Sequence, residues 1–188
     1  MLAGDYTISE QQVLSADGVT LNGDNGATII LTAPVVPFLM NGQNQTIKGF
    51  KMTSNVPYPV EFIRIGGNGN RILGNVIYGP EQSGNSSTWV VNRGFVTQPS
   101  TTNVLISGNV FYSLRQPGYL NPDSTGIIFN NAAFNSRGYV VDGVLFEFSE
   151  NSWGIPQKAV DIAFFQARRR VRHTTLSVHL SQVTATQT

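Results

Sequence analysis

The stretch "NVLISGNVFYSL" (residues 103–114) contains a short pattern in which an apolar residue precedes an asparagine by three positions and a second apolar residue follows it by two. The same pattern stands in "RILGNVIYGP" (residues 71–80). Four weaker copies follow the same frame: "LNGDNG" (21–26), "IKGFKM" (47–52), "IFNNAAF" (128–134) and "FSENSW" (148–153). The chain is therefore built on an internal repeat.

The spacing of the copies indicates the kind of repeat. The central positions are 24, 50, 75, 109, 131 and 151, and they are separated by 26, 25, 34, 22 and 20 residues. A period in the low twenties with strand-forming residues is typical of a solenoid whose turns stack as parallel strands. We expect the two apolar residues of each copy to point inward and Asn75, Asn109, Asn131 and Asn151 to form a hydrogen-bonded ladder. We also expect each ladder asparagine to occupy the bend itself, in a left-handed or bridge conformation.

The gap of 34 residues predicts one turn of the solenoid plus an inserted loop, at about residues 79–97. The alternative is a β-sandwich whose strands merely share their composition. One six-residue pattern kept across several strands favours the solenoid, an all-β parallel β-helix of about six to seven rungs.

Composition limits the remaining possibilities. The 188 residues, 40% hydrophobic and only 12% charged, suit one domain rich in turns. The chain has no cysteine, which excludes disulfides and cysteine-based metal sites. No apolar run is long enough to span a membrane. The first residues, "MLAGDYTISEQQ", lack the basic and apolar regions of a signal peptide, so none is expected in this chain.

Three stretches resemble the opening rungs of the pectin lyase-like superfamily: "GDYTI" (4–8), "DGVTLNGD" (17–24) and "ATIILT" (27–32). The later copies of the repeat resemble the asparagine ladder of that superfamily. The stretch from "NVLISGNVFYSLRQPGYLNP" to "NSWGIPQKAVDIA" also resembles uncharacterised surface-type β-helix proteins of spore-forming Gram-positive bacteria. The resemblance covers about residues 3–163. It implies a right-handed parallel β-helix and an extracellular, cell-surface or spore-surface location.

The last part of the chain differs from the rest. Residues 1–165 are predicted to form one β-helix domain with a net charge of −3, whereas residues 166–188 carry +4 and hold both histidines. One hypothesis is that this basic tail arises from a shifted reading frame and is not native sequence. The other is a basic arm for nucleic acid or another anionic surface.

Catalytic patterns are poorly represented. A polysaccharide hydrolase needs two converging carboxylates, and a pectate-type lyase needs a base and acidic ligands for calcium. Neither pattern is visible in the later copies of the repeat, so no catalytic residue is assigned. No cofactor is expected apart from a weak calcium alternative in "NPDSTG" (121–126), through Asp123, where a plain turn is the simpler interpretation.

A polar set of a different kind is our candidate binding site. Arg115 and Arg137 each follow a ladder asparagine by six residues, so they should lie on adjacent rungs. Each precedes a tyrosine, Tyr119 or Tyr139, and Trp89 lies in the inserted loop. The arginines either bind an acidic glycan, with the aromatic rings as stacking platforms, or are structural and neutralised by nearby aspartates. Trp89 is either an exposed sugar-stacking residue or an anchor for its loop.

From the sequence we expect a non-catalytic surface or spore-associated module that is structural or binds a polysaccharide or cell-surface glycan. The alternative is a carbohydrate-active enzyme, a lyase or a hydrolase, acting on an acidic polysaccharide. Nucleic acid is expected only through the basic tail. Exposed sheet edges at the ends of the solenoid would favour self-association.

Overall fold

The computed structural model describes residues 1–24, 26–154 and 163–164, which form a β-solenoid of about six turns. Each turn adds one strand to each of three parallel sheets. The parallel β-helix expected from the repeat is confirmed, and its right-handed sense stays a prediction. The basic tail, residues 166–188, lies outside the described residues, and both hypotheses about it stay open.

The strands are numbered in chain order and distributed in rotation among the sheets. Sheet 1 contains β1 (Gly4–Ile8), β4 (Ala27–Leu31), β7 (Lys51–Ser54), β10 (Val76–Tyr78), β13 (Val110–Tyr112), β16 (Ala132–Phe134) and β19 (Ser152–Gly154). Sheet 2 contains β2 (Gln12–Leu14), β5 (Phe38–Met40), β8 (Glu61–Ile65), β11 (Arg93–Thr97), β14 (Gln116–Leu120), β17 (Val140–Val141) and β20 (Ala163–Phe164). Sheet 3 contains β3 (Thr20–Asn22), β6 (Thr46–Lys48), β9 (Arg71–Leu73), β12 (Val104–Ser107), β15 (Thr125–Phe129) and β18 (Val144–Ser149).

The core is a set of columns in which each apolar residue stacks on its counterpart one turn away. The apolar residues on either side of the ladder positions whose side chains are described point inward, as the repeat predicts. The column in sheet 3 is Leu21, Ile47, Ile72, Ile106, Ile128 and Phe148, and the column in sheet 1 is Ile29, Met52, Ile77, Phe111 and Ala133. Apart from Leu21 in the first turn, these side chains are buried, so each turn removes apolar surface from water on both of its faces.

The predicted asparagine ladder is present at the corner between sheet 3 and sheet 1. The Asn75 amide and backbone N–H both donate to Asn109 Oδ1, at 3.1 and 2.9 Å. The same pair of bonds links Asn109 to Asn131 (both 3.0 Å) and Asn131 to Asn151 (2.9 and 3.0 Å). Each Nδ2 also donates to a backbone carbonyl of the preceding turn, such as Ile72 O for Asn109 at 2.9 Å. The four side chains are buried, so these bonds supply partners for polar groups that water cannot reach.

The left-handed conformation expected for the ladder asparagines was wrong, whereas the bridge conformation stays a prediction. The left-handed residue at each corner is the one immediately before the ladder position. These residues are Gly49, Gly74, Gly108, Asn130 and Glu150, with φ between 51° and 70°. The sharp bend therefore belongs to the exposed or half-exposed neighbour, and the asparagine is there for its hydrogen bonds. The two tasks fall on adjacent residues.

Aromatic rings fill the middle of the solenoid. Phe95, Phe111 and Phe148 surround the fully buried Tyr139, at centroid distances of 6.3, 6.2 and 5.8 Å. The ring of Phe95 occupies the space over Gly118 in the next turn, where an added Cβ would lie 2.2 Å from it. Glycine at this strand position is thus a packing requirement.

The inserted loop interrupts the connection from sheet 1 to sheet 2 in the fourth turn. Because β11 begins at Arg93, the irregular part of the predicted insertion 79–97 is residues 79–92, with one 3-10 turn at Ser86–Thr88. Trp89 is only 4% exposed, and its Nε1–H donates to Ser83 O at 2.9 Å. The loop is therefore folded around its own tryptophan.

The first turn forms an open edge of the described solenoid. β1, β2 and β3 each pair with a described strand on one side only. The inward residues Tyr6, Ile8, Leu14 and Leu21 are partly exposed, whereas their counterparts one turn later are buried. Self-association through such an edge stays a prediction.

Candidate functional site

The predicted arginine pair does lie on adjacent turns. The backbone N–H of Arg137 donates to Arg115 O at 3.2 Å. The guanidinium of Arg115 donates to Ser86 O in the inserted loop, and its backbone N–H donates to Asn92 Oδ1 at 2.7 Å. Arg115 therefore fastens the loop to the solenoid, which is a structural task.

The aromatic residues predicted to accompany the arginines do not share one surface. Tyr139 is completely buried among core rings, and burial raises the pKa of its hydroxyl far above the ordinary value. Trp89 is the anchor of its loop, the structural alternative for that residue. Neither ring offers a face to a sugar. The ligand-binding hypothesis for these two residues is not compatible with their burial.

Tyr119 lies on the outer face of sheet 2 and stays half-exposed. Its ring lies 5.6 Å from Cζ of Arg93, whose Nε–H donates to Gln116 Oε1 at 2.7 Å. Burial lowers the pKa of the Arg93 guanidinium, although the nearby carboxylate of Glu61 acts in the opposite direction. Glu61 is itself buried and accepts from Arg64 Nε at 2.5 Å. This outer face is an internally satisfied network of charges.

The turn suggested for calcium is closed by protein hydrogen bonds. Asp123 is exposed with φ 60°, and the N–H of Ser124 donates to Asn121 O at 3.2 Å. Within the part of the chain that the structure describes, no group of three or more histidine or acidic side chains is placed to hold a metal. The calcium alternative stays untested.

A groove that the sequence did not reveal runs along the outside of sheet 3 and has a volume of about 440 Å³. We call it the sheet 3 groove. Its lining combines one arginine, four side-chain amides and a strip of apolar groups. The lining residues are Gln43, Asn44, Asn68, Gly69, Arg71, Asn103, Val104, Leu105, Gly126, Ile127 and Phe146.

One wall of the groove comes from the turns that lead into sheet 3. Asn44, Gly69 and Asn103 hold left-handed conformations in three consecutive turns (φ 52°, 70° and 57°). A Cβ at Gly69 would lie 2.3 Å from Asn44 Oδ1, so the glycine leaves room for that amide. Asn68 Oδ1 accepts from Thr102 N at 2.8 Å. The backbone N–H groups of Gln43 and Asn103 donate to Asp17 Oδ1 and Thr125 Oγ1, whereas the side-chain amides of Gln43, Asn44 and Asn103 make no hydrogen bond to other described residues.

The floor of the groove is an outward column of sheet 3. The register places Arg71, Leu105 and Ile127 on successive turns, with Glu147 following Ile127. Arg71 is exposed and forms no ion pair with any described residue, because the two ion pairs of the described chain are Lys48–Asp24 and Arg64–Glu61. The groove therefore has, toward one end, a cation with no ion-pair partner among the described residues, and apolar groups lie beyond it.

A β-bulge supplies the aromatic group at the other end of the groove. Gly126 pairs with Leu145 and Ile127 pairs with Glu147, so Phe146 is the extra residue of β18. The bulge turns this phenylalanine outward, and 52% of its surface is exposed. The ring therefore presents an exposed apolar surface at this end of the groove.

A second exposed aromatic feature lies on the outside of sheet 1. Tyr78 stacks on Tyr112 at 4.7 Å, and Tyr112 stacks on Phe134 at 4.8 Å, with ring planes within 5° of parallel. Burial is the main cause that raises the pKa of Tyr112, and the neighbouring Tyr78 raises it further. The rings cover each other's faces, and Phe134, which is 39% exposed, ends the stack. The stack contributes to stability at the spacing of the turns.

The sheet 3 groove escaped prediction because its residues are far apart in the chain and stand in turns of unequal length. A partial signal existed in the repeated Asn–Gly turns and in "VLFEFS" (144–149), where strict alternation fails at Phe146. Comparison of the chain with protein-family models, curated proteins and solved structures finds no match. The chemistry of the groove is therefore what bears on function.

Proposed function

We propose that the chain is a non-catalytic glycan-binding module and that the glycan lies in the sheet 3 groove. The observation that carries the proposal is the combination, in one groove, of an exposed ring at Phe146, an exposed guanidinium at Arg71 and exposed side-chain amides. A few convergent polar groups beside apolar surface are characteristic of ligand sites.

Each part of the groove matches a part of a sugar. The apolar C–H face of a pyranose packs on an aromatic ring or on aliphatic side chains, here Phe146, Leu105 and Ile127. The hydroxyl groups, which both donate and accept, are suited to the amides of Asn44 and Asn103, which do the same. No rearrangement of the backbone is needed, because the turns and the strand that carry these groups belong to the solenoid.

The same lining supports a binding function over a catalytic one. Hydrolysis of a glycosidic bond needs two carboxyl groups on opposite sides of the bond. The residues lining the groove, all within the described chain, include no aspartate or glutamate. The nearest acid along the chain is Glu147, next to Phe146, whose carboxylate accepts a hydrogen bond from the Ser149 hydroxyl.

The test is a glycan array probed with the full chain, with Phe146→Ala, and with Phe134→Ala as a matched control. Phe134 is also an exposed phenylalanine, but it lies on sheet 1. We expect binding that falls at least tenfold in Phe146→Ala and is retained in Phe134→Ala. Equal binding by all three proteins would show that the groove is not the site. Cleavage of a bound glycan into shorter products would show that the chain is an enzyme and not a non-catalytic module.

A further inference from the structure

We infer that the ligand is an oligosaccharide with one anionic group at its end, an inference that rests on the proposed function. The oligosaccharide lies parallel to the solenoid axis, with its anionic group on Arg71 and a neutral sugar ring on Phe146. The direction comes from the register. Arg71, Leu105 and Ile127 stand on three successive turns, and Phe146 stands on the fourth. With about 4.8 Å between turns, Arg71 and Phe146 are about 14 Å apart along the axis.

The span sets a minimum length for the ligand. A monosaccharide is smaller than this distance, so it reaches the guanidinium or the ring but not both. An oligosaccharide that reaches both gains the second contact without a second association step, which raises its affinity beyond that of either end alone. The intervening apolar strip of Leu105 and Ile127 continues the surface on which the middle sugar rings lie.

The charges at the two ends fix the polarity of the ligand. Arg71 forms no ion pair with described residues, and its column neighbours Thr46 and Leu105 are uncharged. At the opposite end, Glu147 follows Phe146 and repels an anionic sugar there. A guanidinium binds a carboxylate or a sulfate through two parallel N–H donors. The groove thus favours a glycan with one terminal anionic group. A glycan that is charged on every unit would be repelled by Glu147 near Phe146.

The experiment uses pairs of immobilised glycans, two to six units long, that differ only in one terminal uronic acid, sialic acid or sulfate. The full chain is compared with Arg71→Gln and with Lys51→Gln, which removes an equally exposed cation from sheet 1. We expect the acid-terminated member of a pair to bind about 10-fold to 100-fold more tightly. Arg71→Gln should remove this preference while keeping binding to the neutral member, and Lys51→Gln should keep both.

Two further readouts separate the inference from the function on which it rests. The preference for the acidic member should weaken as salt rises from 0.05 to 0.5 M (about fourfold to tenfold), because the ion pair is exposed and screened. Affinity should rise with glycan length and then level off, and Phe146→Ala should abolish that rise. Equal binding of acidic and neutral members, or a preference that survives in Arg71→Gln, overturns the inference and leaves glycan binding intact. Absence of binding by the full chain to every glycan overturns both this inference and the proposed glycan-binding function. A difference in affinity between the carboxylate-terminated and sulfate-terminated glycans identifies the preferred anion.

Discussion

Two adjacent asparagines in "IFNNAAF" (residues 128–134) are expected to respond very differently to the same substitution. Asn131 is buried in the ladder, whereas Asn130 is exposed and holds a left-handed backbone with φ 52°. Replacing each by alanine in turn separates the contribution of the ladder from that of the bend. The pair is well matched, because the residues share their type and their corner of the solenoid.

The expected loss for Asn131→Ala follows from its hydrogen bonds. Its Nδ2 donates to Ile106 O (3.0 Å), Phe129 O (3.0 Å) and Asn151 Oδ1 (2.9 Å), and its Oδ1 accepts from the N–H and the Nδ2 of Asn109 (both 3.0 Å). Alanine removes all of them and leaves the buried Asn109 N–H without this acceptor. At about 1 kcal/mol for each bond, with more for an orphaned buried donor, the loss is about 3–5 kcal/mol.

Asn130→Ala should cost only about 1 kcal/mol, because alanine lacks the short polar side chain that makes the left-handed conformation tolerable for asparagine, and Asn130→Gly should be nearly neutral. The assay is urea unfolding followed by far-UV circular dichroism and by tryptophan fluorescence, whose coincidence checks for a two-state transition. At about 2 kcal/mol per molar urea, Asn131→Ala lowers the midpoint by about 2 M and Asn130→Ala by about 0.5 M. Equal shifts for the two alanine variants would refute the assignment of separate tasks.

Three further perturbations test other parts of the fold. Burial raises the pKa of Tyr139, so the folded state keeps a proton that the unfolded chain releases above pH about 10. The free energy of unfolding should therefore fall above that pH by about 1.4 kcal/mol per pH unit. Tyr139→Phe should flatten this alkaline part of a stability–pH profile. Gly118→Ala should destabilise by about 1–3 kcal/mol in urea unfolding because its Cβ would meet the ring of Phe95, and an unchanged midpoint would argue against the ring packing described. Arg115→Ala should speed proteolysis within residues 79–92 by releasing Ser86 O, with unaltered cleavage pointing to a different anchor for the loop.

Much of the fold could be predicted because the repeat is a local pattern with a strict physical cause. A buried column needs an apolar residue at the same place in every turn, so Ile72, Ile106 and Ile128 recur in the sequence at that place. The ladder is equally visible, since the asparagine side chain both donates and accepts and recurs at the same place in successive turns. The conformation of the corner was harder to assign, because glycine, asparagine and glutamate share the left-handed position before the ladder residue.

The candidate site was less predictable because it depends on registers between turns of unequal length. Tyr139 follows a predicted arginine by two residues, yet it lies immediately before β17 with its ring buried in the core. Arg71 gave no signal of its own, since a lone arginine at the start of a strand is usually a solvated charge. Its partner in the groove, Phe146, is separated from it by 75 positions and becomes a neighbour only through the stacking of turns and one bulge.

The ladder has a mechanical consequence. Each ladder side chain bonds only to groups of its own turn and of the turns directly before and after it, so no single ladder residue ties the first turn to the last. A chain pulled by its two ends should therefore yield in steps, one turn at a time, instead of rupturing as a whole. The turn between Asn109 and Asn131 spans 22 residues, and its release would lengthen the tether by on the order of 75 Å. The solenoid would act as a serial extensible spring, with the asparagine ladder setting the force of each step.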